Sequence, residues 1–151
     1  MAFVFKFETL RKHRKRIEDE AQRIYLQART ELDDCLALIK SFYQSIEMAR
    51  QQVAIAQKQA DGQGLQTIRN FEHFIDGQKI RVERQRQVAR ELMTKVEDAQ
   101  EKLIEAAREF KKIEKLKEKM KEEYKKHQKR LETKRLEDLV VIRSGRKEET
   151  L

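Results

Sequence analysis

Apolar residues recur through the second half of the chain in two interleaved series. Every seventh residue from Ile68 gives Ile75, Val82, Ala89, Val96, Leu103 and Phe110, then Lys117, Tyr124 and Leu131. A second series runs three residues behind it through Phe71, Gln78, Gln85, Leu92, Ala99, Ala106, Ile113 and Met120. Steps alternating between three and four put both series on one side of an α-helix, a stripe that needs a partner helix to cover it. The first half supplies that partner. Its periodicity begins with Leu10, Ile17 and Ile24, interleaved with Arg14, Ala21 and Ala28, and continues through Leu32, Cys35, Ile39, Phe42, Ile46, Ala49, Val53, Ala56 and Ala60. The steps from Ile24 to Ala28 to Leu32 read as a stutter, which locally unwinds a left-handed supercoil.

Asp61-Gly62-Gln63-Gly64 is the Gly-rich break, and two glycines so close stop a helix. Gly77 is the next weak point, and Leu65 to Ile75 between them suits a short helix. The predicted fold is all-α, a long antiparallel two-helix coiled-coil hairpin forming a single domain over residues 1–151. Helix one is expected over 7–60, a connector with its short helix over 61–77, helix two over 78–139, and a frayed tail over 140–151. With Ala60 opposite Gln78, the numbers of facing residues sum to about 138. Ala28 then lies near Phe110, Leu32 near Ala106, Ile39 near Ala99, Ile46 near Leu92 and Ala49 near Ala89. Large residues repeatedly face small ones, which keeps a thin seam densely packed. A tighter hairpin, with helix two starting at Gln66, matches sizes less well.

Composition supports the coiled coil over a globular core. Only 38% of residues are hydrophobic while 41% are charged, Pro and Trp are absent, and there are four glycines. A seam of two residues per heptad can be built from that, whereas an ordinary core cannot. The net charge of +8 favours acidic partners: nucleic acid, anionic lipid or an acidic protein surface. Cys35 is the sole cysteine, so no intramolecular disulfide is available, and its seam position implies a buried, inert thiol. The Met1 to Phe7 segment is too quickly charged for a signal peptide, and Leu139 to Ile142 is too short to cross a bilayer. A soluble, cytoplasmic chain is expected.

Signals for catalysis are poor. There is no Gly-rich phosphate loop, no nucleophile elbow and no helical pair of metal-binding histidines. His13, His73 and His127 are scattered singly, and a two-helix rod has no pocket in which carboxylates would be desolvated. The sequence therefore implies no enzyme activity, no cofactor and no metal. Interaction chemistry is better represented. Tyr43, Phe71 and Phe74 fall near the closed end of the hairpin, where they serve either as local packing or as anchors for a partner. At the open end the basic run Arg11 to Arg16 lies beside Lys121, Lys125, Lys126, Lys129, Arg130, Lys134 and Arg135. Both helices are basic there, so the charges add into an electropositive terminus.

Four stretches carry a family resemblance: Phe5-Lys6-Phe7-Glu8-Thr9-Leu10 with the basic run after it, Asn70-Phe71-Glu72-His73-Phe74-Ile75, Glu105-Ala106-Ala107-Arg108-Glu109, and the charged helix from Glu114 to Tyr124. In this order, around a Gly-bearing connector, they resemble the FliJ family of flagellar export proteins over nearly the whole chain. Gly77-Gln78 departs from the helix-favouring residues usual in the family. The resemblance implies a hairpin similar to the γ-subunit stalk of rotary ATPases, sitting at the centre of the hexameric flagellar export ATPase and promoting its assembly and activity. It also implies contact with the cytoplasmic domain of the membrane export gate, binding of export chaperones, and a cytoplasmic location peripheral to the inner membrane at the flagellar base. Carried over by position, Phe5, Phe7, Arg11, Arg14, Lys125, Lys129 and Arg130 at the open end would contact the ATPase. Tyr43, Phe71 and Phe74 would face the gate or a chaperone. The expected state is a monomeric hairpin.

Rival readings are the equivalent stalk of a virulence secretion system, a structural coiled coil that dimerises through Leu26, Met93 and Ile104, and a nucleic-acid binder. The last is disfavoured because the basic faces carry almost no interleaved aromatic residues, so contacts would be to phosphates alone.

Overall fold

The computed structural model describes residues 2–58 and 62–149. Two helices account for nearly all of them: α1, Glu8–Lys58, and α2, Gly62–Glu149, packed against each other as a helical hairpin. The contacts divide the chain into two compact units, Asp19–Ile104 and Met1–Glu18 with Glu105–Leu151.

Three boundaries differ from the sequence expectation. Helix α2 begins at Gly62, so Leu65 to Ile75 is its first stretch and not a separate connector helix. The helix passes through Gly77, where no positive backbone φ and no close neighbour demand a glycine. It also continues to Glu149 and not to residue 139. The reason for the first two is tertiary burial. Ile75 packs with Ile46, Ala49 and Val82, with Ile39, Phe42 and Phe71 against them. Burying one such side chain is worth about 2 kcal/mol, against about 1 kcal/mol for a glycine inside a helix. The end of predicted helix one and the start of the predicted connector, residues 59–61, lie outside the described residues, as do residues 150 and 151.

Register differs as well. In the unit Asp19–Ile104, Lys95 Nζ lies 3.0 Å from Glu31 Oε2, the Cys35 thiol donates to the Gln85 carbonyl oxygen at 3.4 Å, and Arg86 reaches the Tyr43 hydroxyl. In the other unit, Arg11 pairs with Glu114, Arg14 with Glu109, and Lys117 with Glu8. The paired numbers sum to between 120 and 129 and centre about two heptads below the expected 138. The tighter hairpin is the one that forms. A heptad pattern is blind to this choice, because sliding one helix by whole heptads puts apolar residues opposite apolar residues again. Phe110, expected near Ala28, lies under Arg11 and Lys15.

The covered face of α2 follows both predicted series from Ile68 to Tyr124. On α1 the covered positions are Arg11, Arg14, Glu18, Ala21, Tyr25, Ala28, Leu32 and Cys35, then every later seam residue to Ala56. That is an unbroken alternation of three and four, so the expected stutter is absent. Leu10, Ile17 and Ile24 stand one position before the true seam and are 39%, 48% and 42% exposed. Seam positions there carry Arg11, Arg14 and Glu18, whose charged ends are met by partners on α2 or α1. Arg14 stood in the expected series, but apolar periodicity alone could not select Arg11 and Glu18.

Candidate functional site

In the unit formed by Met1–Glu18 and Glu105–Leu151, the chain approaches α1 through an aromatic segment. Phe3 packs on Tyr124 at 5.6 Å between ring centroids, and Phe5 is buried with Phe7 edge-on to it at 5.9 Å. Lys117 lies over the Phe5 ring. The first turn of α1 is then tied to α2 by charge. Arg11 binds Glu8 at 3.1 Å and Glu114, and its guanidinium pKa is raised, chiefly by the hydrogen bond to Glu114. Arg14 donates to the Glu109 carbonyl oxygen at 3.0 Å. The Glu109 carboxyl is held below its ordinary range, first by the hydrogen bond from Lys112 and then by the charges of Lys112 and Arg14.

The open-end residues singled out in the sequence thus separate into two groups. Phe5, Arg11 and Arg14 are engaged within the hairpin. Phe7, Lys125, Lys129 and Arg130 are exposed. Beyond them α2 continues through the end of the expected helix two and on through residues 140–149, which sequence reasoning set aside as part of a frayed tail. Every residue from 129 to 149 is exposed, yet all are helical. Phe3, the furthest chain-start residue with a ring contact, reaches α2 only at Tyr124. Leu136, Leu139, Val140, Val141 and Ile142 are 54–69% exposed on this stretch. Residues 139–142 are consecutive and span slightly more than one helical turn, so they face all sides of the helix. Their apolar run was visible in the sequence, but outside the heptad register it carried no structural meaning.

In the unit Asp19–Ile104, the three aromatic candidates are not brought together. Phe71 is half-buried against the Ile46–Ala49–Ile75–Val82 cluster. Tyr43 is stacked beneath Arg86, whose guanidinium lies 5.8 Å from the ring centroid. Phe74 is 45% exposed. Tyr43 lies across from Arg86, about three helical turns along α2 from Phe74. Among the described residues there is no group of side chains suited to hold a metal ion, and no helix long and apolar enough to cross a membrane.

The two helices form an antiparallel hairpin with aromatic packing just before α1 and an exposed helical stretch over residues 129–149 of α2. The family model for the flagellar FliJ protein matches residues 3–149, and the chain belongs to that family. It is a component of flagellar protein export. Comparison with curated proteins and with solved structures gives no match.

Proposed function

We propose that the protein is the central stalk of the hexameric flagellar export ATPase, promoting its assembly and activity without taking part in the chemistry. The observation that carries this reading is the exposed helix of residues 129–149 with apolar residues on every side. A flat partner would cover one face of such a helix, whereas a surrounding ring covers them all. Lys125, Lys129 and Arg130 at its base suit acidic surfaces lining such a ring. In this reading Leu136, Leu139, Val140 and Ile142 join Phe7, Lys125, Lys129 and Arg130 as contact residues, while Phe5, Arg11 and Arg14 hold the extension in place. At the other unit, exposed Phe74 is the residue best suited to the export gate's cytoplasmic domain or to an export chaperone, because it offers an aromatic anchor not spent on packing. The hairpin would work at the inner membrane without entering it.

The test is ATP hydrolysis by the cognate export ATPase, titrated with wild type, with Lys125→Glu/Lys129→Glu/Arg130→Glu, and with Leu139→Ser/Ile142→Ser. Stimulation by wild type that is lost in both variants is the expected result. No stimulation of an ATPase shown to form hexamers would overturn the stalk reading. Stimulation retained by both variants would keep a stalk and discard the extension as its grip.

A further inference from the structure

Within the unit formed by Met1–Glu18 and Glu105–Leu151, a groove of about 320 Å³ runs between the helices, lined by Phe7, Leu10, Arg14, Lys112, Ile113 and Leu116. Phe7, Leu10 and Leu116 are 38–42% exposed there. Ile17 lies two turns along α1 from Leu10 on the same face and is also exposed. The seam proper is occupied at this level by Arg11, Arg14 and Glu18. Apolar side chains therefore stand beside the seam at heptad spacing while charged ones fill it. Single exposed apolar residues are ordinary, but a contiguous set lining a groove marks a surface that another body covers.

The rim identifies that body. Arg14 and Lys112 stand within the groove, and both are met by the single carboxylate of Glu109, which leaves the rim net positive. His13, three residues from Leu10 and four from Ile17, flanks it on α1, and Lys119, two turns from Lys112, flanks it on α2. A second copy of this chain would bring the same basic rim against itself, on top of a net charge of +8 per chain. We infer that the groove takes an amphipathic helix from a partner, with leucine or isoleucine at heptad positions and glutamate or aspartate flanking them, as the third helix of a local bundle. Heptad-spaced apolar residues would seat on Leu10, Ile17 and Leu116, and flanking carboxylates would meet Lys119 and share the exposed Lys112 with Glu109. The inference rests on the stalk reading only in that this end of the hairpin is taken to be where a partner sits.

The experiment uses the full chain and a fluorescent synthetic helical peptide of four heptads, leucine at its a and d positions and glutamate at e and g. A matched peptide with lysine at e and g serves as control. The glutamate peptide is expected to bind, with affinity falling about tenfold for Ile17→Glu and for Leu116→Glu, and falling again in high salt. Ile17→Leu is expected to retain binding, and Met48→Glu, an exposed position in the other unit, to leave it unchanged. Circular dichroism confirms that each variant stays helical. Equal binding of the lysine peptide, or undiminished binding by both groove variants, would overturn the inference. So would self-association abolished by Ile17→Glu in sedimentation, or binding of anionic vesicles or duplex DNA that the same variant removes in place of peptide binding. Export-ATPase stimulation measured with these variants separates the two readings: peptide binding lost with stimulation intact leaves the groove standing and assigns it a different partner.

Discussion

The Cys35 thiol donates to the backbone carbonyl oxygen of Gln85 at 3.4 Å, with the Gln85 side-chain oxygen 3.6 Å away. The contact crosses the hairpin between two seam positions. A thiol is a weak donor, so its contribution to stability is small, but its place is informative. Gln85, like the buried Gln78 one heptad before it, is polar at a position where the pattern calls for an apolar residue. Polar groups in a seam discriminate between registers that apolar residues leave degenerate.

Register is open to direct measurement. A zero-length carbodiimide reagent should join Lys95 to Glu31, whose charged atoms are 3.0 Å apart. In the register whose numbers sum to about 138, Glu31 would face Ala107, and that cross-link could not form. Mass spectrometry of the digested monomer should show the Glu31–Lys95 peptide. Its absence, with Lys95 reactive elsewhere, would reject the observed pairing.

Gly77→Ala should stabilise the protein by about 0.5–1 kcal/mol. A Cβ there meets nothing within 4 Å, and the backbone φ is not positive. The melting temperature should rise. A fall would mean that α2 is broken at Gly77, as the connector expected from the sequence would have it.

Burial predicts an asymmetry between the two halves of α2 and their partners. Ile46, 4% exposed within its cluster, should cost about 2–4 kcal/mol on truncation to alanine. Leu139→Ala, at a position 57% exposed, should change stability by less than about 0.5 kcal/mol. Denaturant midpoints of the two variants measure the contrast, and equal losses would show that the extension is packed in solution.

Acid should weaken the pairing of Glu109 with Lys112 and, secondarily, with Arg14. Because the folded-state pKa of Glu109 is lowered from 4.5, its stabilising contribution is present above that value and is lost as pH falls through the folded value. The melting temperature of wild type should therefore approach that of Glu109→Gln as pH drops from about 6 to about 3. A gap that stays constant across this range would assign the effect to packing. Exposure keeps the change modest, and salt should shrink it.

By itself the sequence determined the class of fold and the covered face of α2, from Ile68 to Tyr124. A three-and-four alternation dictates which side of a helix is buried whatever lies against it. It also carried the family resemblance that the match over residues 3–149 bears out. Three matters were decided only by tertiary structure. Pairing chose among registers that the heptad leaves equivalent, and it was placed by contacts such as Cys35–Gln85 and Glu31–Lys95. Burial of Ile75 against Ile46 and Ala49 carried α2 through Gly77, because packing outweighs local helix propensity. Charge pairs, across the hairpin for Arg11 and with Lys15 of α1 for Glu18, admitted these residues to the seam beside Arg14, turning Leu10 and Ile17 toward solvent, since a half-buried charge is tolerated where an opposite charge meets it.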